Sequence, residues 1–449
     1  MDRRISRRYF LRGAAVAGGA VAVGPYLVNA ADLKKDKLRI AFVGTGGQAG
    51  AHIGLAESET CPCYCDVDKG RWNRISKMAP NAKTYTDYRK MFDNHIKDID
   101  AVVVTTPDHS HAPASMYAIK NGKGCYTEKP LTWSVQEARA LATATREFKV
   151  ATQMGNMGHA NEGNRLVVEY VRGGTLGTIT EVHTWTNRPV WPQGIAKRPP
   201  AKPVPANLDW DSWIGPAPYR EFHDSLHGFN WRGWFDFGCG AVGDMGCHTW
   251  DCVFWAMNPD YPTEIELLKI DGRNTETFPK NCCFRWKFPA KADRPAFDAY
   301  WYEGGLKPTV PQEILDDPAR EKKKLPLSGS LFIGAKGKLF VEGDYADSPR
   351  LIPESFQKQI GRPTKILPRS PGHKQEWLAA CRGEKPWDSP GSNFATYAGP
   401  LTEVMLLGAI TQRIGQIGFK VECDPLQRII KTKEALAFAG RTYRQGWTL

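Results

Sequence analysis

The chain has 449 residues, of which 41% are hydrophobic and 24% are charged. This balance is typical of a soluble globular protein of two or three domains, and it excludes collagen-like, coiled-coil and largely disordered chains. The net charge is +12, but +4 of it lies in the first 30 residues. The remaining charge is spread along the chain without a recognisable nucleic-acid motif, so we expect no nucleic-acid partner.

The first 30 residues have the layout of an export signal. Arg7 and Arg8 precede a moderately apolar stretch over 13–28, which ends in small residues at Ala30. This layout predicts a signal peptide over 1–30, and the paired arginines resemble a twin-arginine signal. The twin-arginine translocation machinery is then a partner, and the protein is periplasmic or secreted. A signal anchor or a basic N-terminal helix is the alternative, although the stretch is too weakly apolar for a stable membrane span.

The 11 cysteines are odd in number and scattered. The run from Cys61 to Cys65 lacks the ligand spacing of a zinc site. We therefore expect buried free thiols and no metal.

The first strand and turn predict a dinucleotide-binding unit. Lys37–Val43 is a β-type run, a glycine-rich turn follows it, and 51–56 is a plausible helix. This order of elements matches the G-x-G-x-x-G/A fingerprint, in which Gly44 permits the tight turn and Gly46 lets the backbone approach a pyrophosphate. The helix N-terminus then offers amide donors to the phosphates. The predicted cofactor contacts from the turn are Gly44, Thr45, Gly46, Gly47 and Gln48.

An acidic residue at the end of the second strand indicates which dinucleotide is bound. Cys61–Cys65 is the predicted strand, and Asp66 stands 22 residues after Gly44. A carboxylate at about this distance accepts a hydrogen bond from the adenosine 2′-hydroxyl and repels a 2′-phosphate. We therefore expect NAD rather than NADP as the cofactor.

Further βα units continue the pattern as far as residue 157. The apolar runs 99–105, 124–127 and 150–154 predict strands, and Ser134 with Glu137 predicts a capping box at the start of a helix. Ligands bind at the carboxyl ends of such strands. We therefore expect an α/β Rossmann dinucleotide-binding domain over 37–157.

Residues 158–449 predict a second, α+β domain with a largely antiparallel sheet, because strand patterns now follow one another. Ten of the 15 tryptophans lie between Trp185 and Trp301. Indole rings can stack on sugars, which favours a carbohydrate substrate, although they also fill cores. The predicted substrate contacts from this region are Trp191, Trp231, Arg232 and Trp234.

Four motifs occur in a family's order and spacing. They are the Gly44 turn, Thr106–His111, Glu128-Lys129-Pro130 and Gly243–His248. Together they resemble the Gfo/Idh/MocA oxidoreductases. The resemblance implies that Lys129 lies by the nicotinamide and the substrate hydroxyl, with Asp244 and His248 facing the same point and His248 as the general base. It also implies a homo-oligomer. The further cofactor contacts implied are Thr106, Pro107, Asp108, His111, Glu128 and Lys129, and the further substrate contacts are Asn156 and His159.

The chemistry of these side chains supports the implied roles. Imidazole can accept the hydroxyl proton at neutral pH, and an ammonium can stabilise the developing alkoxide. Asp244 and His248 are four residues apart, so on a helix they share a face. The alternatives are that Asp244 only caps a helix over Met245–Met257, that Lys129 is an ordinary surface lysine, and that His248 is a core histidine.

These patterns predict an exported NAD-dependent oxidoreductase that transfers a hydride between a hydroxyl of a sugar, sugar acid or glycoside and NAD. The twin-arginine route carries folded proteins, so we expect NAD to be loaded before export and held tightly. One alternative is an NAD-dependent glycosidase that uses transient oxidation and elimination. A second is a non-catalytic sugar-binding protein.

Overall fold

The structure is a computed structural model that describes residues 36–318 and 323–449. The predicted signal peptide over 1–30 lies outside the described residues. All of the described residues belong to one compact unit. The boundary at 157/158 between the two predicted domains therefore stays a prediction.

A parallel sheet of six strands forms the first half of the fold. Its strands are β1 (Ile40–Val43), β2 (Cys63–Cys65), β3 (Lys83–Tyr85), β4 (Ala101–Val104), β5 (Gly124–Thr127) and β6 (Thr152–Met154). They pair in the order β3-β2-β1-β4-β5-β6. Every residue of β1 and β4 is buried, as expected for strands covered on both faces. The order reverses between β1 and β4, and a crevice for a ligand forms at such a point.

Five α-helices accompany this sheet. They are α1 (Leu55–Ser58), α2 (Trp72–Met78), α3 (Tyr88–His95), α4 (His111–Lys120) and α5 (Val135–Phe148). The predicted capping box at the start of α5 is confirmed, since the Ser134 side chain accepts from the Glu137 N–H and the Glu137 carboxylate accepts from the Ser134 N–H. The strand predicted from Cys61 is shorter than expected and begins at Cys63.

The helix predicted over 51–56 is wrong in form. A 3-10 helix spans Gly47–Ala51, and the single α-turn of α1 follows it. The run holds three glycines among residues 47–54, and glycine is the poorest helix former apart from proline. No long helix therefore begins at this glycine turn. What remains are the N–H groups of the turn itself, which have no acceptor within a helix.

The second sheet has nine strands. They are β7 (Ile179–Trp185), β8 (Glu264–Asp271), β9 (Asn281–Phe288), β10 (Phe297–Glu303), β11 (Gly329–Gly334), β12 (Gly337–Glu342), β13 (Ser348–Ile352), β14 (Lys420–Asp424) and β15 (Ile429–Ile430). The order is β13-β12-β11-β7-β10-β9-β8-β14-β15. All neighbours are antiparallel except β7 and β10. The prediction of a Rossmann-type sheet followed by a largely antiparallel one is confirmed.

Nine further α-helices lie in the described part of the second half. They are α6 (Glu162–Arg172), α7 (Trp210–Ile214), α8 (Gly240–Thr249), α9 (Asp251–Met257), α10 (Gln312–Asp316), α11 (Glu354–Ile360), α12 (His373–Cys381), α13 (Gly399–Ile414) and α14 (Lys433–Leu436). Helix α13 is buried at 13 of its 16 residues, because it packs on α5, on α8 and on β8. Helix α8, which carries Asp244 and His248, packs on α13 and α9 and contacts β10.

Most of the tryptophans serve the core. Five of the ten between Trp185 and Trp301 belong to the largest fully buried side chains. The Pro- and Trp-rich excursion after β7 has a small apolar core of its own, which includes Trp210, Trp213 and Trp234. The density of tryptophan is thus largely a packing feature.

All 11 cysteines are free, and ten of them are buried. Within 36–318 and 323–449, no cluster of three or more His, Cys, Asp or Glu side chains is arranged to hold a metal ion. No described helix is long and apolar enough to cross a bilayer.

Candidate active site

A cavity of about 480 Å³ lies at the carboxyl edge of the parallel sheet. The turn after β1 forms its floor. Gly44 has a φ of +89°, and a Cβ on it would lie 2.7 Å from the Thr105 carbonyl oxygen. Only glycine fits there, because both the backbone angle and the space exclude a side chain. Gly46, Gly47 and Gln48 line the cavity beside it.

Asp66 lies at one end of the cavity. Its carboxylate accepts hydrogen bonds from the Thr45 N–H at 2.8 Å, the Thr45 hydroxyl at 3.2 Å and the Asp68 N–H at 3.0 Å. Burial raises the pKa of Asp66, and these hydrogen bonds oppose that rise. The side chain of Arg71, which sequence reasoning missed, lies across the turn, since a Cβ on Gly46 would approach its Cδ to 2.7 Å.

The loop after β4 lines the middle of the cavity with Thr106, Pro107 and Asp108. His111 fixes this loop, because its Nε2 lies 2.8 Å from the Thr106 carbonyl oxygen and its Nδ1 lies 2.8 Å from that of Pro130. Asp108 accepts from a backbone N–H at 3.1 Å. Burial raises the pKa of Asp108 to about 7, although the cations Arg232 and Lys129 lower it.

Glu128 is buried at the end of β5. Its Oε1 lies 2.6 Å from Nε2 of His52, a fully buried residue that sequence reasoning missed. Burial alone would raise the pKa of Glu128, but the hydrogen bond to His52 and the electrostatic attraction of His52 and Lys129 together outweigh it, and the pKa is lowered. A Cβ on Gly155 would lie 2.5 Å from Glu128 Oε1, so this glycine leaves the space that the carboxylate occupies.

Lys129 and Asp244 form a buried ion pair at the far end of the cavity from Asp66. The Lys129 Nζ donates to Asp244 Oδ1 at 2.8 Å and to the Asp244 carbonyl oxygen at 3.1 Å. Arg232 Nε donates to the same Oδ1 at 3.2 Å. Burial would raise the pKa of Asp244, but the two cations outweigh it and hold it at about 2. The carboxylate is therefore ionised at neutral pH.

His248 stands one turn after Asp244 on α8. Burial and the Lys129 ammonium lower the pKa of His248, Asp244 opposes them, and the net pKa is about 4. The ring is thus neutral at pH 7. Its Nδ1 is buried and has no hydrogen-bond partner among the described residues. The alternative in which Asp244 caps a helix is wrong, because α8 begins at Gly240 and Asp244 lies inside it.

Tyr345 is a further residue beside this cluster that sequence reasoning missed. Its ring meets the imidazole of His248 edge-on, with centroids 4.9 Å apart. Gly158 supports it from behind, since a Cβ there would lie 3.1 Å from the Tyr345 ring. Tyr345 as a whole is 37% exposed. Nothing near it in the sequence signals a site, because the turn between β12 and β13 reaches the cluster only through the tertiary fold.

Asn156 and His159 lie in a buried polar cluster around Asp251 rather than on the cavity wall. The Asp251 carboxylate accepts from Asn156 Nδ2 at 3.2 Å and from the Tyr397 hydroxyl at 2.6 Å. His159 Nδ1 lies 3.1 Å from the same carboxylate and its ring stacks on Trp255. Asp251 stands at the start of α9, directly after the helix of His248. The substrate role of Asn156 and His159 stays a prediction.

Of the predicted aromatic contacts, Trp231 lines the cavity, and Trp191 and Trp234 do not. Trp191 donates to Gln193 at 2.8 Å and Trp234 is fully buried. Trp231 lies under the Arg232 guanidinium, whose central carbon is 4.4 Å from the ring centroid. The ring therefore helps to fix the cation that contacts Asp244.

The residues of the cavity fit a dinucleotide. The turn has room for a ligand, because a Cβ on Gly47 would meet nothing within 4 Å. A carboxylate lies at one end of the cavity and an ammonium at the other. A dinucleotide bound to this fold runs along the strand ends with its ribose at the acid after β2. Gly44 to Gln48 and Asp66 would hold its adenosine and phosphates, and Thr106 to Asp108 with Lys129 would lie at its nicotinamide.

The chain is similar to curated glycosidases over part of its length. It is 27% identical to the glycosyl hydrolase family 109 protein 1 of Shewanella sp. (strain MR-4) and 28% identical to an alpha-N-acetylgalactosaminidase of Shewanella oneidensis. Each match covers 39% of this chain and 44% of the relative. The chain thus spans less than half of the length of these relatives.

Solved structures of low sequence identity share the fold over most of the chain. The WlbA dehydrogenase from Bordetella pertussis, solved with NADH and UDP-GlcNAcA, has 16% identity and a TM-score of 0.57, with 86% of this chain and 99% of that chain covered. The aldose-aldose oxidoreductase from Caulobacter crescentus, solved with glycerol, has 16% identity, a TM-score of 0.53 and the same coverage.

Two family models match successive parts of the chain. The oxidoreductase family model with an NAD-binding Rossmann fold matches residues 38–156. The model of that family's C-terminal alpha/beta domain matches residues 163–287. Together they cover more than half of the chain, and they join at the change from the parallel to the antiparallel sheet. The chain therefore belongs to the Gfo/Idh/MocA oxidoreductase family.

Proposed function

We propose that the protein is an NAD-dependent oxidoreductase that acts on a hydroxyl of a sugar, sugar acid or glycoside. One observation carries this proposal. The Lys129–Asp244 ion pair lines the cleft where the family's order of motifs would place the nicotinamide, and the neutral imidazole of His248 stands one helical turn after Asp244. Such a cluster can bind a hydroxyl, remove its proton and stabilise the oxygen left behind.

Each side chain has a distinct part in that reaction. The Lys129 ammonium donates a hydrogen bond to the hydroxyl oxygen, and its donation strengthens as negative charge develops there. His248 accepts the hydroxyl proton, because burial keeps its ring neutral at pH 7. Asp244 fixes the ammonium and balances its charge. The nicotinamide, when bound, supplies the acceptor for the hydride that leaves the carbon.

NAD is the proposed cofactor rather than NADP. The Asp66 carboxylate lies where the adenosine ribose is held in this fold, and its charge repels a 2′-phosphate. Arg71 lies nearby and is the group that an NADP enzyme would use. Comparing the dissociation constants of NAD and NADP for the purified protein tests this choice. The proposal predicts tighter binding of NAD, and an Asp66→Ser variant should lose most of that preference.

A sugar-type substrate is supported by two observations. The curated relatives are named as glycosidases, and the Bordetella enzyme was solved with a nucleotide sugar. In this chain, Phe229 and Trp231 line the cavity beside the polar groups Arg232 and Lys129. An aromatic surface beside hydrogen-bonding groups suits the two kinds of surface that a pyranose presents.

A second candidate is an NAD-dependent glycosidase, which the similarity to glycosyl hydrolase family 109 favours. In that activity, oxidation is transient and the cofactor is returned to its starting state. The two candidates therefore differ in net redox change. A non-catalytic sugar-binding protein is disfavoured by the intact Lys129, Asp244 and His248.

Export through the twin-arginine route and assembly into a homo-oligomer are also proposed. The Arg7-Arg8 pair and the apolar stretch behind it support export. Fusing residues 1–30 to a reporter should place the reporter in the periplasm, and replacing both arginines with lysine should abolish that transport. Light scattering on the eluting peak of a sizing column tests the oligomeric state.

The experiment that tests the proposed function uses protein purified without added nucleotide. The protein is denatured, the released nicotinamide is identified, and the absorbance of reduced nicotinamide in the native protein is followed against a panel of sugars and glycosides. Reduction by a sugar, lost in His248→Asn, supports the oxidoreductase. Release of an aglycone without net reduction supports the glycosidase. No bound nucleotide and no response to added NAD would refute both activities.

A further inference from the structure

The open side of the cavity is covered by segments from outside the Rossmann half. Ser212 and Trp213 line it, and so does Trp447, which is only 7% exposed. We call residues 207–213 the roof segment and residues 437–449 the C-terminal tail. Both lie at the end of the cavity that contains Asp66, where the adenosine half of a dinucleotide is held.

The roof segment is joined to the loop that carries Asp66. The Asp209 N–H donates to the Val67 carbonyl oxygen at 2.9 Å, and the Lys69 N–H donates to the Asn207 carbonyl oxygen at 3.0 Å. Asn207 Nδ2 also donates to the Asp68 carboxylate at 2.5 Å. These bonds form a short ladder directly beside the predicted ribose site.

The other end of the roof segment is anchored in the core. The Trp213 carbonyl oxygen lies 2.8 Å from Nε2 of His109, a fully buried residue. The ring of Trp213 packs against Phe237 and stacks on Trp210 at 4.6 Å. The roof segment is therefore held at both ends, and it cannot lift without breaking backbone hydrogen bonds.

The C-terminal tail locks the roof segment to the first half of the fold. Arg444 pairs with the Asp211 carboxylate, and its guanidinium also donates to the carbonyl oxygens of Asp211 at 2.9 Å and Gly215 at 3.1 Å. At the other end, Arg89 on α3 donates to the Gly446 carbonyl oxygen at 2.9 Å, and its central carbon lies 4.0 Å from the Trp447 ring centroid.

We propose that the roof segment and the C-terminal tail form a strap that retains the dinucleotide, with Trp447 completing its adenosine subsite. This inference rests on the proposed function, because it assumes that the cavity binds NAD. A dinucleotide enclosed in this way dissociates only when the tail releases Asp211. The bound nicotinamide is then reduced and reoxidised in place, so that the substrates exchange and the cofactor does not.

The strap should affect how fast bound NAD exchanges with free NAD rather than how fast the substrate is converted. Full-length protein is loaded with isotopically labelled NAD and then mixed with a large excess of unlabelled NAD, and the label that stays on the protein is measured over time. We expect Arg444→Ala and Trp447→Ala to release the label at least about tenfold faster than the unmodified protein, because each removes contacts that must break before the strap opens.

Controls separate retention from general damage. Arg350→Ala removes another surface ion pair, that with Glu354, and should leave the exchange rate unchanged. Trp447→Phe keeps an aromatic ring and should exchange more slowly than Trp447→Ala. Thermal unfolding of each variant shows whether the fold is intact. Should a variant fail to fold, tryptic cleavage after Arg444 in the unmodified protein gives a second measurement, and bound NAD should slow it.

Two results overturn the inference in different ways. Exchange by Arg444→Ala and Trp447→Ala at the rate of the unmodified protein, or complete exchange within seconds in the unmodified protein, would refute the strap and leave the proposed function intact. Failure of the protein to bind NAD at all would refute both.

Discussion

Replacing Lys129 with Met tests the centre of the site through both stability and chemistry. The change removes the ammonium and keeps much of the volume of the side chain. Asp244 then retains only Arg232, at 3.2 Å, as a cationic partner. We expect a less stable protein at neutral pH and a large loss in the rate of hydride transfer.

The pKa of Asp244 sets the magnitude of the stability change. A carboxyl whose pKa moves from 3.8 to about 2 on folding stabilises the native state by about 2 kcal/mol at neutral pH. Breaking a buried pair costs about 3–5 kcal/mol when the remaining charge has no other partner. Because Arg232 remains, we expect Lys129→Met to lose about 1–2 kcal/mol.

The sign of the pH dependence follows from the same shift. A lowered pKa stabilises the native state above the unfolded value and is lost as pH falls through the folded value. The difference in stability between the unmodified protein and Lys129→Met should therefore be full at pH 7 and should narrow between about pH 4 and pH 2. Denaturant unfolding at a series of pH values measures it. Lys338→Met, which breaks a surface pair with Glu313, is the matched control and should show a smaller effect.

The chemical step gives the second readout. Loss of one donor to a developing oxyanion costs about 10²–10³ in rate. Single-turnover reduction of the bound nicotinamide by the sugar found in the panel should slow by that factor in Lys129→Met, while NAD stays bound. A rate within about threefold of the unmodified protein, or a stability difference that does not narrow at low pH, would refute the reasoning.

Three further predictions follow from the same structure. The rate of nicotinamide reduction should stay constant as the pH falls and should drop only near pH 4, because the pKa of His248 is lowered to about 4. A stopped-flow pH profile in which the rate already drops near pH 6.5 would contradict this. Tyr345→Phe should raise KM for the sugar by less than about tenfold, and Tyr345→Ala should raise it more, because the ring supports His248; equal values for both variants would show that the ring is not needed. A thiol reagent added to the native protein should label its cysteines slowly, because ten of them are buried and burial also raises the pKa of the Cys381 thiol; rapid labelling of several cysteines would contradict the packing.

The sequence predicts the central strands of the parallel sheet well, because strands buried on both faces have unbroken apolar sequences. β1 and β4 fall inside the predicted runs, and the capping box of α5 is present as expected. The helix predicted over 51–56 is wrong in form, because the pattern does not weigh the cost of Gly54 and of the two glycines before it. β13 to β15 were not predicted, because their patterns are short and mixed in polarity.

A site residue is predictable from the sequence only where its reactive side chain belongs to a local motif. Lys129, Asp244 and His248 belong to motifs that stand at strand ends or on one helix face, and the fold brings Lys129 and Asp244 into direct contact. Tyr345 and Trp447 carry no local motif, because the tertiary fold brings Tyr345 to His248 and Trp447 to the cavity from distant parts of the chain. Asn156 and His159 show the converse, since a polar motif near a strand end here packs around the buried Asp251.

The most direct test of the proposed chemistry follows the transferred hydrogen. A sugar from the panel is labelled with deuterium at the carbon that is oxidised and mixed with the NAD-loaded protein, and the released nucleotide is analysed by mass spectrometry. The account predicts one deuterium on the nicotinamide with the unmodified protein and none with His248→Asn. Conversion of the labelled sugar without deuterium on the nicotinamide would show that the Lys129–Asp244–His248 cluster does not carry out hydride transfer.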